Sequence, residues 1–254
     1  MGDTGAMALI RCDFSSETLE LDTSMTVVLP QESDEPPAVL YLLHGLTDDH
    51  TAWTRWTSIE RYATDRNLAV VMPQGYRCFY ANETYGMRFW DFLDQELPRT
   101  VHRFFRVATG RADTFVAGLS MGGYGALKWA LRRPERFAAA ASLSGALDLA
   151  YIQEFDLRPH IRELVARVFP DRTVAGSDED LLHLVKTAGP ATLPRLMLHC
   201  GTEDQLIKQN ERFVGACRAA GVALDSGFGP GEHVWGYWDE QIPAVLDWML
   251  GKPA

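Results

Sequence analysis

The sequence predicts an α/β fold: a mostly parallel, twisted sheet of about eight strands flanked by helices. Three observations lead there. Apolar runs of strand length alternate with longer segments of helical period, which is the pattern of crossover units. The chain has 254 residues, 46% of them apolar, enough to bury a large core around one sheet. Charged residues make up 23% and are spread without long runs, and no internal repeat is visible, so nothing reads as low complexity.

Taken in order, residues 8–14 and 19–29 read as the first strands, and the short Ser-Ser-Glu break between them makes them an antiparallel pair at one edge. Residues 31–37 form a polar, proline-rich turn. Residues 38–43 (AVLYLL) and 69–72 (AVVM) read as buried central strands, with a helix over 58–66 between them. Residues 90–105 carry Phe92, Leu93, Leu97, Val101, Phe104 and Phe105 close to a 3.6-residue period despite Pro98, so a helix should cross back to a strand at 114–119. The helix over 122–133 stops before Pro134, because the residue preceding a proline is pushed out of the α region. A strand at 138–143 follows. Residues 150–190 are more charged and less periodic and delay the return to the sheet. They predict a small cap-like helical insertion, of the kind that sits over the active site of such a fold, within a single domain spanning 1–254. The chain closes with a strand at 195–200, a helix at 205–220, a short strand at 223–227 and a helix at 234–250.

A formal net charge of −10 disfavours nucleic-acid and anionic-membrane partners through long-range repulsion. Residues 1–10 show neither a basic region nor a long apolar stretch, and no apolar run reaches bilayer length, so the expectation is a cytoplasmic protein with no membrane partner. Cys12, Cys78, Cys200 and Cys217 lack CxxC spacing and read as reduced, mostly buried thiols rather than a zinc site or a disulfide framework. Asp48-Asp49-His50 reads as a solvated loop rather than a ligand set, so neither metal nor cofactor is expected. The oligomeric state is open, a homo-oligomer included.

The chemistry centres on Gly118-Leu119-Ser120-Met121-Gly122, which lies where the strand TFVAGL meets the helix GGYGALKWALRR. A nucleophilic serine needs a sharp strand-to-helix turn that thrusts its side chain outward, and flanking glycines allow backbone approaches that a side chain would block. A serine hydroxyl is a poor nucleophile at neutral pH, so it needs a neighbouring base; on this α/β-hydrolase fold acid and base follow it in that order. His44, His50 and His102 precede Ser120. Of the rest, His160 and His183 fall in the insertion and His199 lies inside a strand, where a core imidazole is the ordinary reading. His233, in the loop GPGEHVW before the last helix, is the candidate base. Asp204 follows the strand RLMLHC at its carboxyl end and is the candidate acid. It could instead cap the next helix. Asp148, at the end of the preceding strand, is a rival, and Glu203 should point the other way. Two backbone N–H groups should receive the developing oxyanion: that of Met121, and that of Leu46 in the loop His44-Gly45-Leu46-Thr47. Tyr80, Tyr85, Trp90, Trp235, Tyr237 and Trp238 cluster near the expected mouth, and a few of them should wall a small acyl pocket.

Four blocks carry a resemblance: LYLLHGLTDDHTAWTRWTSIERYA, DTFVAGLSMGGYGALKWALRRPERFAAAASLSGALD, GTEDQL and GEHVWGYWDEQI. They resemble the esterase D and S-formylglutathione hydrolase-like (putative esterase) family of α/β hydrolases, nearest to its bacterial short-chain (tributyrin-type) and cinnamoyl esterases. The likeness runs through nearly the whole chain except parts of the insertion. It implies a serine carboxylesterase acting on small-molecule esters, with Ser120 as nucleophile, Asp204 as acid and His233 as base. The loop after Gly45-Leu46-Thr47 continues Asp48-Asp49-His50, where S-formylglutathione hydrolases carry a cysteine. That departure sets the thioester reaction second, and a non-catalytic protein that keeps the fold third.

Overall fold

The computed structural model describes residues 6–64, 66–155 and 158–251. Its centre is one eight-stranded sheet in the order β1-β2-β4-β3-β5-β6-β7-β8. The strands are β1 (Met7–Ser16), β2 (Leu21–Pro30), β3 (Ala38–Leu43), β4 (Leu68–Pro73), β5 (Thr114–Leu119), β6 (Ala139–Leu143), β7 (Arg195–Gly201) and β8 (Asp225–Gly229). The pairs β1·β2 and β2·β4 are antiparallel. All pairings from β4·β3 across to β7·β8 are parallel.

The helices are α1 (Ala52–Trp56), α2 (Ile59–Thr64), α3 (Phe89–Asp91), α4 (Leu97–Phe104), α5 (Met121–Arg132), α6 (Leu149–Phe155), α7 (Pro159–Val168), α8 (Leu181–Thr187), α9 (Ile207–Ala220) and α10 (Trp235–Met249). They cover both faces of the sheet, so central strands are apolar on both sides instead of alternating. Val39, Tyr41 and Leu43 of β3 pack with Val116, Ala140 and Trp129 on one face, the face of α4 to α9. Leu40 and Leu42 pack with Val70, Ala117 and Ala141 on the other, beneath Trp53, Ile59 and Ile242 of α1, α2 and α10. The four cysteines are free thiols, three of them buried.

Pro98 reshapes the helix predicted over 90–105. Between α3 and α4 the chain makes a π-helical turn, Phe92–Glu96, closed by Leu97 N–H donating to Phe92 O. A proline has no N–H for the carbonyl four residues back, and its ring would press on that carbonyl. Here that group is Asp94 O, which instead accepts from Arg136 Nη1 at 2.6 Å. Other differences are boundaries: β1 runs on to Ser16, with Glu20 left-handed at φ 56° before β2, and α1 falls where no element was read from the sequence. β8 lies two residues later than predicted. The stretch expected as an insertion holds α6, α7 and α8. Its residues 156 and 157 lie outside the described residues, as do residue 65 of the helix expected at 58–66 and the first five residues of the chain. No helix among the described residues is long and apolar enough to cross a membrane.

Candidate active site

Every group of the site stands at a carboxyl end of the parallel strands, where an open α/β sheet leaves a crevice. Ser120 follows β5 with φ 52° and ψ −117°, a conformation that L residues rarely adopt. Its backbone is tied on both sides: its N–H donates to Leu143 O at 2.9 Å, and its carbonyl accepts from Tyr124 N at 3.1 Å and Ala146 N at 3.0 Å. The flanking glycines are required by contact. A Cβ on Gly118 would lie 2.4 Å from the backbone of Gly122, and one on Gly122 would lie 2.3 Å from Leu43 O. Strand and helix therefore cross at backbone distance, and the serine side chain is left pointing outward.

His233 Nε2 lies 3.0 Å from Ser120 Oγ, and His233 Nδ1 lies 2.8 Å and 3.0 Å from the two Asp204 oxygens. An ionised carboxylate only accepts, so Nδ1 carries the ring proton and Nε2 presents a lone pair to the serine hydroxyl. Burial by itself would raise the Asp204 pKa. The hydrogen bond to His233 and its charge, the Leu206 N–H at 2.7 Å and the Ser144 hydroxyl outweigh burial and hold it below the usual carboxylate value. Asp204 thus takes the imidazole contact and, through Leu206, also caps the following turn.

The alternatives are engaged elsewhere. Asp148 accepts from Arg212 Nη1 at 2.6 Å and from Tyr151 N at 2.9 Å, at the start of α6. Glu203 Oε2 accepts Gly231 N–H at 2.6 Å, which ties down the loop that carries His233. His199 Nδ1 meets Gln241 Oε1 at 2.9 Å. His50 Nδ1 meets Thr26 Oγ1 at 2.8 Å, and Asp49 accepts from Thr51. His160 is exposed but lies on the rim of the cleft, while His183 is half-buried on α8.

The cleft encloses about 590 Å3, and Ser120, His233, Met121 and Leu46 all line it. Met121 is the first residue of α5, so its N–H has no carbonyl a turn earlier to bond. The loop bearing Leu46 is pinned from several sides. Gly45 O accepts from His44 Nδ1 at 2.7 Å and from Asp48 N at 3.3 Å, while Gly45 N donates to Asp48 Oδ2 at 3.2 Å. His44 Nε2 in turn accepts from Gly75 N at 2.9 Å. Burial pushes the His44 pKa down to about 4, so the ring is neutral. Asp48, on the cleft wall, is raised by burial against the Gly45 N–H and the Trp235 side chain, which favour its charged form.

Of the aromatic residues expected near the mouth, Trp235 and Trp238 wall the cleft and the other four do not. Phe79, Trp235 and Trp238 line the cleft, as do Leu119, Ile152 and Ile161. Tyr80 is buried behind it, donating its hydroxyl to His44 O at 3.0 Å; Tyr85 is exposed and bonds Asp171; and Trp90 stacks under Arg132. A tyrosine after a strand end reads alike in both places, because what decides is the left-handed backbone at Tyr76, Phe79 and Tyr80. One further residue beside the site went unread. Ser144, fully buried and left-handed at φ 50°, accepts from Trp238 Nε1 at 3.1 Å and bonds to Asp204. Trp238 also stands edge-on to the His233 ring, centroids 5.0 Å apart. The only sequence signal for Ser144 is its place, one residue past β6 and before Gly145.

The arrangement can take a proton from a serine hydroxyl and return it to a leaving group, in a largely apolar cleft that Met121 and Leu46 also line. Comparison with known proteins gives a matching result. The model of the family described as "Putative esterase" matches residues 16–249. An acetyl esterase from Caldicellulosiruptor saccharolyticus is 28% identical, the match covering 96% of this chain and 98% of that protein. Two solved structures from Staphylococcus aureus are each 33% identical. One is the fluorophosphonate-binding serine hydrolase FphF, substrate bound (TM-score 0.88; 97% of this chain and 99% of that one). The other is the S-formylglutathione hydrolase FrmB, apoenzyme (TM-score 0.86; 96% and 99%).

Proposed function

Because the chain belongs to the Putative esterase family and is a carboxylic ester hydrolase, we propose that Ser120, His233 and Asp204 are its catalytic triad and that its substrates are short-chain acyl esters. The observation that carries this reading is the continuous relay from Ser120 Oγ through His233 to a buried Asp204, with links of 3.0 Å and 2.8 Å, opening into the cleft.

In this reading His233 Nε2 takes the Ser120 proton as Oγ bonds to the ester carbonyl carbon, and the carbonyl oxygen becomes an oxyanion facing the N–H groups of Met121 and Leu46. Asp204 holds the Nδ1–H and stabilises the imidazolium that forms. His233 then gives its proton to the alcohol oxygen as the C–O bond breaks, which leaves Ser120 acylated. Water repeats the sequence, losing a proton to His233 and releasing the acid and the free serine. The choice of short acyl chains draws on the likeness to the acetyl esterase, and the cleft that would hold them is walled by Phe79, Trp235 and Trp238. The segment 150–190 acts as a cap in this reading, since Ile152 and Ile161 sit on the cleft wall.

A fluorophosphonate probe tests the assignment: it should label wild type at Ser120 and leave Ser120→Ala unlabelled, and labelling of that variant at full rate would overturn it. A thioester reading draws on the likeness to the S-formylglutathione hydrolase. S-formylglutathione run beside p-nitrophenyl acetate decides between them, because a higher kcat/KM on the thioester would make it the preferred reaction.

A further inference from the structure

Helix α5 carries, two turns beyond the nucleophile, a lysine with no exposed surface. Lys128 Nζ makes three short contacts: Phe79 O at 3.2 Å, Tyr80 O at 2.8 Å and Glu179 Oε2 at 2.7 Å. An ammonium has three protons to donate, so the group is fully satisfied. Both carbonyls belong to residues in the left-handed region, Phe79 at φ 51° and Tyr80 at φ 50°. Two successive left-handed residues send their carbonyls the same way, towards one cation, and such a pair is held only by what surrounds it.

That turn does two things. It puts the Phe79 ring on the cleft wall, edge-on to Tyr124 with centroids 6.2 Å apart. It also drives the Tyr80 ring into space that Gly75 and Gly125 leave open, so that its hydroxyl reaches His44 O at 3.0 Å. His44 is the residue whose ring holds Gly45 O, and Gly45 O belongs to the same peptide unit as the Leu46 N–H. Because C=O and N–H of a trans peptide point opposite ways, holding the carbonyl aims the donor.

Glu179 comes from the other side, just before α8, in the stretch expected to be an insertion. Its carboxylate also accepts from Tyr124 Oη at 3.0 Å and lies 3.7 Å from Arg132 Nη1. A lysine this deep in a nucleophile helix is not needed for packing, since an apolar side chain of the same volume would be cheaper to bury.

We propose that Lys128 and Glu179 are positioning residues for the esterase reaction: the buried pair links the docked 150–190 segment to the Phe79-Tyr80 turn, and that turn braces the strand end presenting the Leu46 oxyanion donor. This rests on the oxyanion role given above for Leu46. The pair thus serves transition-state binding, although neither side chain touches substrate.

The test uses p-nitrophenyl acetate and a boronic acid that mimics the tetrahedral adduct. Removing both charges together, Lys128→Met with Glu179→Gln, avoids leaving one buried ion alone, so the double variant should melt within a few degrees of wild type. Its kcat should nevertheless fall about tenfold, the size of one lost hydrogen bond in the transition state, with KM within about twofold and boronate affinity down in step with kcat. Tyr80→Phe removes only the link to His44 O and should show the same split. A double variant with wild-type Tm and wild-type kcat would overturn the proposal. So would full activity in Tyr80→Phe, which decides the matter if the double variant does not fold. Absence of ester hydrolysis in wild type would sink the functional reading itself, a separate outcome.

Discussion

Acidification from pH 6.5 to 4 should remove about 3 kcal/mol of stability through His44 alone. The ring is 1% exposed, its Nδ1–H is spent on Gly45 O, and its Nε2 faces the Gly75 N–H, so a second ring proton would be buried and set against a donor. Burial is the main reason that its pKa falls from 6.5 to about 4. The sign follows from which state binds the proton. Below 6.5 the unfolded chain takes one up and the folded protein does not, so stability drops with falling pH by about 1.4 kcal/mol per unit. The slope ends near pH 4, where the folded ring protonates too. Urea unfolding of wild type and His44→Asn at pH 7 and pH 5 isolates the effect. Asparagine keeps a donor near the Nδ1 position and does not titrate. His50, whose pKa is also lowered by burial, is common to both proteins and drops out of the difference. Wild type should lose about 2 kcal/mol more than the variant over that range. Equal losses would refute the buried neutral imidazole.

Ser120→Ala and His233→Ala should each lower kcat by several orders of magnitude, with the double variant scarcely worse, since nucleophile and base share one step; additive losses in steady-state assays would separate them. Asp204→Asn should cut kcat by about 10^3–10^4 with the fold intact by circular dichroism, whereas Asp148→Asn, which loses only the Arg212 and Tyr151 contacts, should stay active. Gly122→Ala should lower stability by about 1–3 kcal/mol in urea melts and abolish probe labelling, because its Cβ would sit 2.3 Å from Leu43 O. On p-nitrophenyl esters kcat/KM should peak at about two to four carbons without a jump at the micelle threshold, each misplaced methylene costing roughly 1–3 kcal/mol. A maximum at octanoate would move the protein towards the lipases.

The parts of this molecule that are local in sequence were legible. A buried strand, a G-x-S-x-G turn and a helix must be contiguous to work, so Ser120 could be placed with its surroundings; chain order left four histidines, and their places on loop, strand and insertion then favoured His233, with Asp204 preferred over its rival Asp148. Contacts formed by distant segments were not legible. Lys128 sits in GALKWALRR, where a lysine looks like a solvated helix residue, and its burial depends on Glu179, which lies 51 positions away. Ser144 looks like any serine after a strand until Trp238 and Asp204 arrive from two other elements. Tyr80 turned away from the cleft for a related reason, since left-handed turns at non-glycine residues leave no mark in composition. The π-helical turn was not foreseen: a helix was expected through 90–105 despite Pro98, and the Asp94 carbonyl left free by the proline accepts from Arg136, which is distant in sequence.

The strand β8 has a consequence for how the enzyme ages under heat. It is the sheet's last strand, five residues reading DSGFG, bonded on one side only, to β7. The loop to His233 hangs from it, anchored by Thr202 N to Gly229 O at 2.8 Å and by Glu203 to Gly231 N. Ser120, by contrast, sits between two central strands and a helix buried almost along its length. Attacking group and proton acceptor therefore belong to regions of unequal opening free energy. Warming should detach the imidazole by fraying of residues 225–234 while the rest of the sheet holds, so catalysis fades before the molecule melts and returns on cooling. Faster amide exchange across that stretch than across 114–132 would mark the event.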